Sequence, residues 1–236
     1  MSSDTDLKHE LLRIAQQLLE EGYFGTRYGT AGNVSALCDD QESVIVTPSS
    51  MNYAEITIDD LCTVDLEGRQ LDGKHSPSIE TPMHLAVYRN RRDVNAVIHT
   101  HQRYATMLSI INAPIPALFD EVTVAIGHTV DIVPYGLSGS EDLLKGVVEK
   151  IQNRCHCYIL QNHGALCVGP DLAKTRHFVE LLEKTAMVYY HALASGREVT
   201  TLPEPMPMGL FQLTTGKQDM VIAQKDAAKP AAGQTA

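Results

Sequence analysis

Val94-Asn95-Ala96-Val97-Ile98-His99-Thr100-His101 is the stretch that decides how this chain is read. Val94, Ala96, Val97 and Ile98 form a short apolar run that predicts a buried strand. Side chains alternate across a strand, so His99 and His101 share a face, roughly 7 Å apart. Two imidazoles at the end of a rigid strand make half of a metal site. Glu80, in Ser76-Pro77-Ser78-Ile79-Glu80, and His163, in Gln161-Asn162-His163-Gly164, can supply the rest. Three neutral imidazoles and one carboxylate suit a borderline divalent ion, Zn²⁺ before Mn²⁺ or Co²⁺. The competing reading is three hydrogen-bonded core histidines and a helix-start acid.

Working outward, Tyr158-Ile159-Leu160 reads as a second buried strand that places His163 at a strand-to-turn junction. Glu80 precedes a helix over Pro82 to Arg91, with Pro82 in its first turn. Further helices are predicted over Leu7 to Glu21, Tyr104 to Ile111, Ser140 to Asn153 and Leu172 to Ser195, the last closed by Gly196. Strands are predicted over Asn33 to Leu37, Ser43 to Thr47, Cys62 to Asp65, Thr129 to Val133, Cys157 to Leu160 and Ala165 to Val168. Helices interleave with short strands, several in hairpins, so the class is α/β with a mixed, largely antiparallel sheet. Residues 1–215 form one domain, and 216–236, after Pro203, Pro205 and Pro207, are expected to be a disordered tail.

The chain has 236 residues, enough for one sizeable core, and 44% of them are hydrophobic. No run approaches the ~18 apolar residues of a membrane span. The N-terminus is polar and acidic, so no signal peptide is expected. A net charge of −10 argues against nucleic acid and anionic membrane surfaces. It does not exclude a phosphorylated substrate, because backbone N–H groups bind phosphate without net positive charge. Five cysteines, an odd count, are expected to be free thiols in a reducing cytoplasm.

Five motifs in order, Gly29-Thr30-Ala31-Gly32-Asn33-Val34-Ser35, Thr47-Pro48-Ser49-Ser50, Pro77-Ser78-Ile79-Glu80, His99-Thr100-His101 and Asn162-His163-Gly164, resemble the class II, zinc-dependent sugar-phosphate aldolase and epimerase family. The resemblance runs from about Leu7 to Gly196. It implies a three-layer α/β/α sandwich and a homotetramer with sites at subunit boundaries, a neighbour supplying a C-terminal aromatic. Tyr189, Tyr190 and Phe211 are the candidates for that aromatic. It also implies an aldolase that cleaves a ketose 1-phosphate to dihydroxyacetone phosphate and a small aldehyde through a metal-stabilised enediolate. An epimerase, decarboxylase or dehydratase would share the first step. A non-catalytic binding module is the reading from another class.

On this resemblance His99, His101, His163 and Glu80 are the metal ligands, and Glu80 doubles as the general base. Phosphate would meet Gly29, Gly32, Asn33, Ser49, Ser50 and Ser78. Ile79 stands where such enzymes usually carry a second serine, which removes one hydroxyl donor. Asp120 replaces a catalytic tyrosine; Asp120 or Glu121 would relay a proton to the aldehyde oxygen, orient a ligand histidine, or form a surface acidic pair. His84, four residues after Glu80, is read as core or as support to the ligands. His128 is read as structural, and Cys155-His156-Cys157 lacks the second ligand pair of a zinc site.

Overall fold

The computed structural model describes residues 4–26 and 30–228. Gly29, expected to meet phosphate, lies outside these residues, as do 229–236 of the expected tail.

Nine strands form one sheet in the order β4-β3-β2-β1-β5-β9-β8-β7-β6. They are β1 Asn33–Leu37, β2 Ser43–Val46, β3 Cys62–Asp65, β4 Gln70–Asp72, β5 Ala96–Thr100, β6 Ile115–Pro116, β7 Thr129–Val133, β8 Cys157–Leu160 and β9 Gly164–Gly169. Every pairing is antiparallel except the parallel pair β7–β8, so the sheet is mixed and largely antiparallel as expected. Seven helices cover it: α1 Asp4–Glu20, α2 Thr81–Asn90, α3 Arg103–Ile110, α4 Asp120–Ile126, α5 Glu141–Lys150, α6 Leu172–Ala194 and α7 Met206–Ala228.

The alternation of strand side chains divides the interior into two cores. Ala96, Ile98, Ile159, Ala165 and Cys167 join α1, α3, α4 and α6 on one face. Val97, Tyr158, Leu160, Leu166 and Val168 join α2 and α5, with Phe211 of α7, on the other. Strands buried on both faces read as nearly continuous apolar runs, which is why β5, β8 and β9 were legible. The result is the three-layer α/β/α sandwich.

Residues 216–228, placed by the sequence reading in a disordered tail, continue α7. Phe211, Thr214 and Gln218 line one buried face of this helix. Thr214 donates to the Val124 carbonyl of α4, Gln218 donates to the Arg154 carbonyl, and Asp219 pairs with Arg154 at 2.8 Å. Gly209, Gly216 and exposed Met206, Leu213 and Met220 weaken the helical pattern, so largely polar contacts hold the segment.

Candidate metal centre

β5 ends at Thr100, and His99 and His101 sit at that end. The turn from β8 to β9 brings His163 alongside. Asn162 takes the left-handed conformation there, with φ 54°, a geometry asparagine tolerates. Gly164 is required next, because a Cβ would stand 2.3 Å from the Thr100 carbonyl oxygen. The three rings meet with centroids 4.7–4.9 Å apart. Ligand nitrogens of His99, His101 and His163 all lie within 4.8 Å of one another.

Glu80 caps α2 at its N-terminus, but its carboxylate does not bond the helix. It turns into the cluster instead: Oε2 lies 3.2 Å from His99 Nε2, and Oε1 lies 3.4 Å from His163 Nε2. Asn33 Nδ2 donates to Glu80 Oε2 at 2.9 Å. Asn33 also stands directly opposite His99 in the β1–β5 register, so one residue pair joins strand, strand and helix.

The donor set fits a divalent cation. His99 Nδ1–H donates to the Ala165 carbonyl at 2.8 Å, which leaves the Nε2 lone pair facing the cluster. His99 Nε2 and His101 Nε2 approach to 3.0 Å. Burial pushes His101 down to about 3 and His163 down to about 4, and neighbouring imidazole charge adds to the effect. Both rings are therefore neutral at pH 7. Burial alone would raise the Glu80 carboxyl; charge on His99 and His163 and the Asn33 donor reverse this and hold it at about 2. Glu80 Oε1 is buried without a hydrogen bond. Converging lone pairs beside an ionised, incompletely bonded carboxylate call for a cation.

The expected phosphate segments gather beside this cluster. Thr47–Ser50 is zipped to Ser76–Ser78: Ser49 N–H donates to Ser76 O, Ser78 N–H donates to Thr47 O, and Pro48 bridges Pro77. Tyr53 ties Thr47 to the loop, its hydroxyl lying 2.8 Å from Gly32 O and 3.1 Å from Thr47 Oγ1. Gly32 has φ 79°, and a Cβ there would meet the Phe24 ring at 2.5 Å, so no other residue fits. Ser50 is exposed and Ser49 half-buried, with their hydroxyls 3.3 Å apart. Ser78 is buried, and its hydroxyl accepts from the Glu80 N–H. One of the two Asn33 amide hydrogens serves Glu80. Ile79 is 65% exposed beside these groups.

Asp120 stands apart from this cluster along the sheet. It opens α4 as an exposed residue and makes no hydrogen bond or ion pair among the described residues. The helix follows β6 at the sheet edge, four strand spacings from β5, or roughly 19 Å. Glu121 pairs with Lys184 at 3.5 Å. Phe211 is 3% exposed and packed on His128 of its own chain. Tyr189 and Tyr190 are half-buried, and Tyr190 lies 6.1 Å from Tyr104 of its own chain. Cys155, His156 and Cys157 are buried, and all five cysteines are free. His156 gives Nδ1–H to the Val168 carbonyl, and burial pushes it down to about 4. The Ala165 carbonyl that orients His99 could not be found in the sequence, because any residue supplies a carbonyl.

The class II aldolase and adducin N-terminal domain family matches residues 9–190. An L-fuculose phosphate aldolase of Escherichia coli O6:H1 is 32% identical over 196 residues, 83% of this chain and 86% of the relative. A 5-deoxy-D-ribulose 1-phosphate aldolase of Bacillus thuringiensis is 30% identical, over 84% of this chain and 90% of the relative. A solved L-fuculose 1-phosphate aldolase superposes with a TM-score of 0.77 at 28% identity, covering 96% of this chain and 98% of that one. Fold, ligand cluster and similarity agree along most of the length, and the chain belongs to the class II aldolase and adducin N-terminal domain family, standing within it among the aldolases.

Proposed function

We propose that this chain is a zinc-dependent aldolase that reversibly cleaves a ketose 1-phosphate to dihydroxyacetone phosphate and a small aldehyde. The convergence of three imidazoles and the Glu80 carboxylate carries the reading. The curated relatives above, named as sugar-phosphate aldolases, favour it over epimerase, decarboxylase or dehydratase chemistry at the same cluster.

His99, His101, His163 and Glu80 would hold the metal, and three nitrogens with one carboxylate favour zinc. A bound divalent ion would act as a Lewis acid toward the substrate carbonyl. Glu80 exchanges the proton at the carbon that carries the breaking bond. Asn33 keeps the carboxylate aimed, and Ala165 fixes the His99 tautomer. Gly32 and the Ser49-Ser50 turn, with Ser78 beneath, would receive the phosphate, and Ile79 would contribute apolar contact where a hydroxyl is absent.

A small panel of ketose 1-phosphates, assayed for dihydroxyacetone phosphate release, tests this. The phosphorylated ketose should exceed its unphosphorylated counterpart in kcat/KM by about 10²-fold or more, since buried or preorganised polar groups reject a ligand that leaves them unpaired. Equal turnover of the two would remove the phosphate site.

Assembly belongs to the same proposal. Asp120 opens α4 after the edge strand β6, and from there it would serve a site across a subunit boundary. Ile110 and Ile111 are 63% and 53% exposed and Phe119 is 40% exposed, an apolar content suited to burial between subunits. A homotetramer with closed cyclic symmetry is the expected state. Light scattering should give four times the 25.9 kDa chain mass. A fully active monomer would rule out shared sites. The five buried free thiols suit a reducing cytoplasm.

A further inference from the structure

Beneath Glu80 lies a second buried polar group that the chemistry above does not use. Glu80, His84 and Tyr88 recur every four residues, so one face of α2 presents all three. Asn33 and Ser35 share one face of β1. The two faces are zipped together. Asn33 holds Glu80, while Ser35 Oγ lies 2.7 Å from His84 Nδ1 and 2.7 Å from the Tyr88 hydroxyl. All five residues are buried, with Ser35 and His84 at 0% exposure.

The protons in this network can be ordered. Burial keeps the Tyr88 phenol protonated, and its proton needs an acceptor. If Tyr88 donates to Ser35 and Ser35 donates to His84 Nδ1, both hydroxyls are satisfied. The reverse order leaves the phenol proton without a partner. The first order is therefore favoured, and it places the His84 proton on Nε2. Among the described residues that atom has no hydrogen-bond partner, and neither has Glu80 Oε1, one helical turn away. His84 Nε2 is thus a buried donor without a hydrogen bond on the helix face that carries Glu80, whose Oε1 lies 3.4 Å from His163 Nε2. His84 is also close enough to Glu80 and His99 to feel their charge.

We propose that His84 is a positioning residue for Glu80: locked by Ser35 and Tyr88 with its proton on Nε2, it sets the seat of the carboxylate against the three imidazoles. The inference rests on the metal-ligand and base roles proposed above for Glu80. Such outer contacts are typically worth 10- to 100-fold in metal affinity or activity.

The test uses the full chain. Nitrogen-15 NMR of the histidine side chains should show His84 protonated on Nε2 and bare on Nδ1. Zinc affinity, read by competition with a chromophoric chelator, should fall about 10- to 100-fold in His84→Asn, which keeps only the Ser35 bond. kcat should fall with it, while KM stays near wild type, since the substrate contacts are untouched. His84→Gln reaches further and returns an N–H near the Nε2 position, so it should recover most of both losses. A Nδ1-protonated His84 would overturn the proposal. So would Asn and Gln variants that lose melting temperature alike but keep wild-type zinc affinity and kcat. If the His84 variants do not fold, Ser35→Ala replaces them, with a weakened zinc affinity expected and an unchanged one refuting. A wild-type chain that takes up no zinc would instead sink the metal reading itself.

Discussion

Exhaustive chelation should abolish turnover, and one equivalent of Zn²⁺ per chain should restore it. This is the largest effect expected of the protein. The His99, His101 and His163 lone pairs converge beside the Glu80 carboxylate. Without a metal, no electrophile faces a substrate carbonyl, and several kcal/mol of transition-state stabilisation are absent; at about 1.4 kcal/mol per decade the rate falls by roughly 10³-fold or more. His163→Ala should behave as the chelated protein does, because it removes one ligand from a turn without touching either core. The check is elemental analysis beside the assay: zinc content and activity should fall together in the variant and return together on titration of the wild type. Full activity in metal-free protein would end the metal assignment.

The parts of the molecule that could be read in advance share a physical property, which is a side-chain pattern repeated along one element. β5, β8 and β9 are buried on both faces, so their apolar runs announced them, and His99, His101 and His163 stood out at the ends of those runs. Glu80 was legible because Pro82 marks a helix start. What escaped reading depends on contacts between distant residues. Nothing near Asn33 shows that its amide meets a carboxylate 47 positions later. Asp120 was placed by resemblance alone, and the register of the sheet then set it at the far edge. α7 escaped because Met206, Leu213 and Met220 face outward and, Phe211 apart, its anchors are polar: Thr214 on Val124, Gln218 on Arg154 and Lys225 on Asn95. His84 showed only as a helix neighbour of Glu80, and its hold on Ser35 comes from a strand 49 residues earlier.

Glu80→Gln should lower kcat by about 10²- to 10⁴-fold while leaving the fold intact. The argument lies in how each hydrogen bond fares. The glutamine carbonyl oxygen can still accept from Asn33 Nδ2, as Oε2 does now at 2.9 Å. In the metal-free chain its amide can donate toward the His163 Nε2 lone pair, which faces Oε1 at 3.4 Å. Shape and burial are conserved, so the melting temperature should move by only a few degrees. The charge does not survive, and neither does the capacity to accept a proton from carbon. The carboxylate is held ionised at about 2, so the wild-type chain presents a charged base across the neutral pH range, and an amide presents none. Loss of a charged ligand also weakens metal binding, so the comparison must be made with zinc saturating and its content measured. Under those conditions a variant folded and loaded like the wild type, yet slower by two decades or more, places Glu80 in the proton transfer. A loaded variant with near-wild-type kcat would reduce Glu80 to a metal ligand at the start of α2, and the proton would have to be handled by a group from another subunit, with exposed Asp120 the first to substitute.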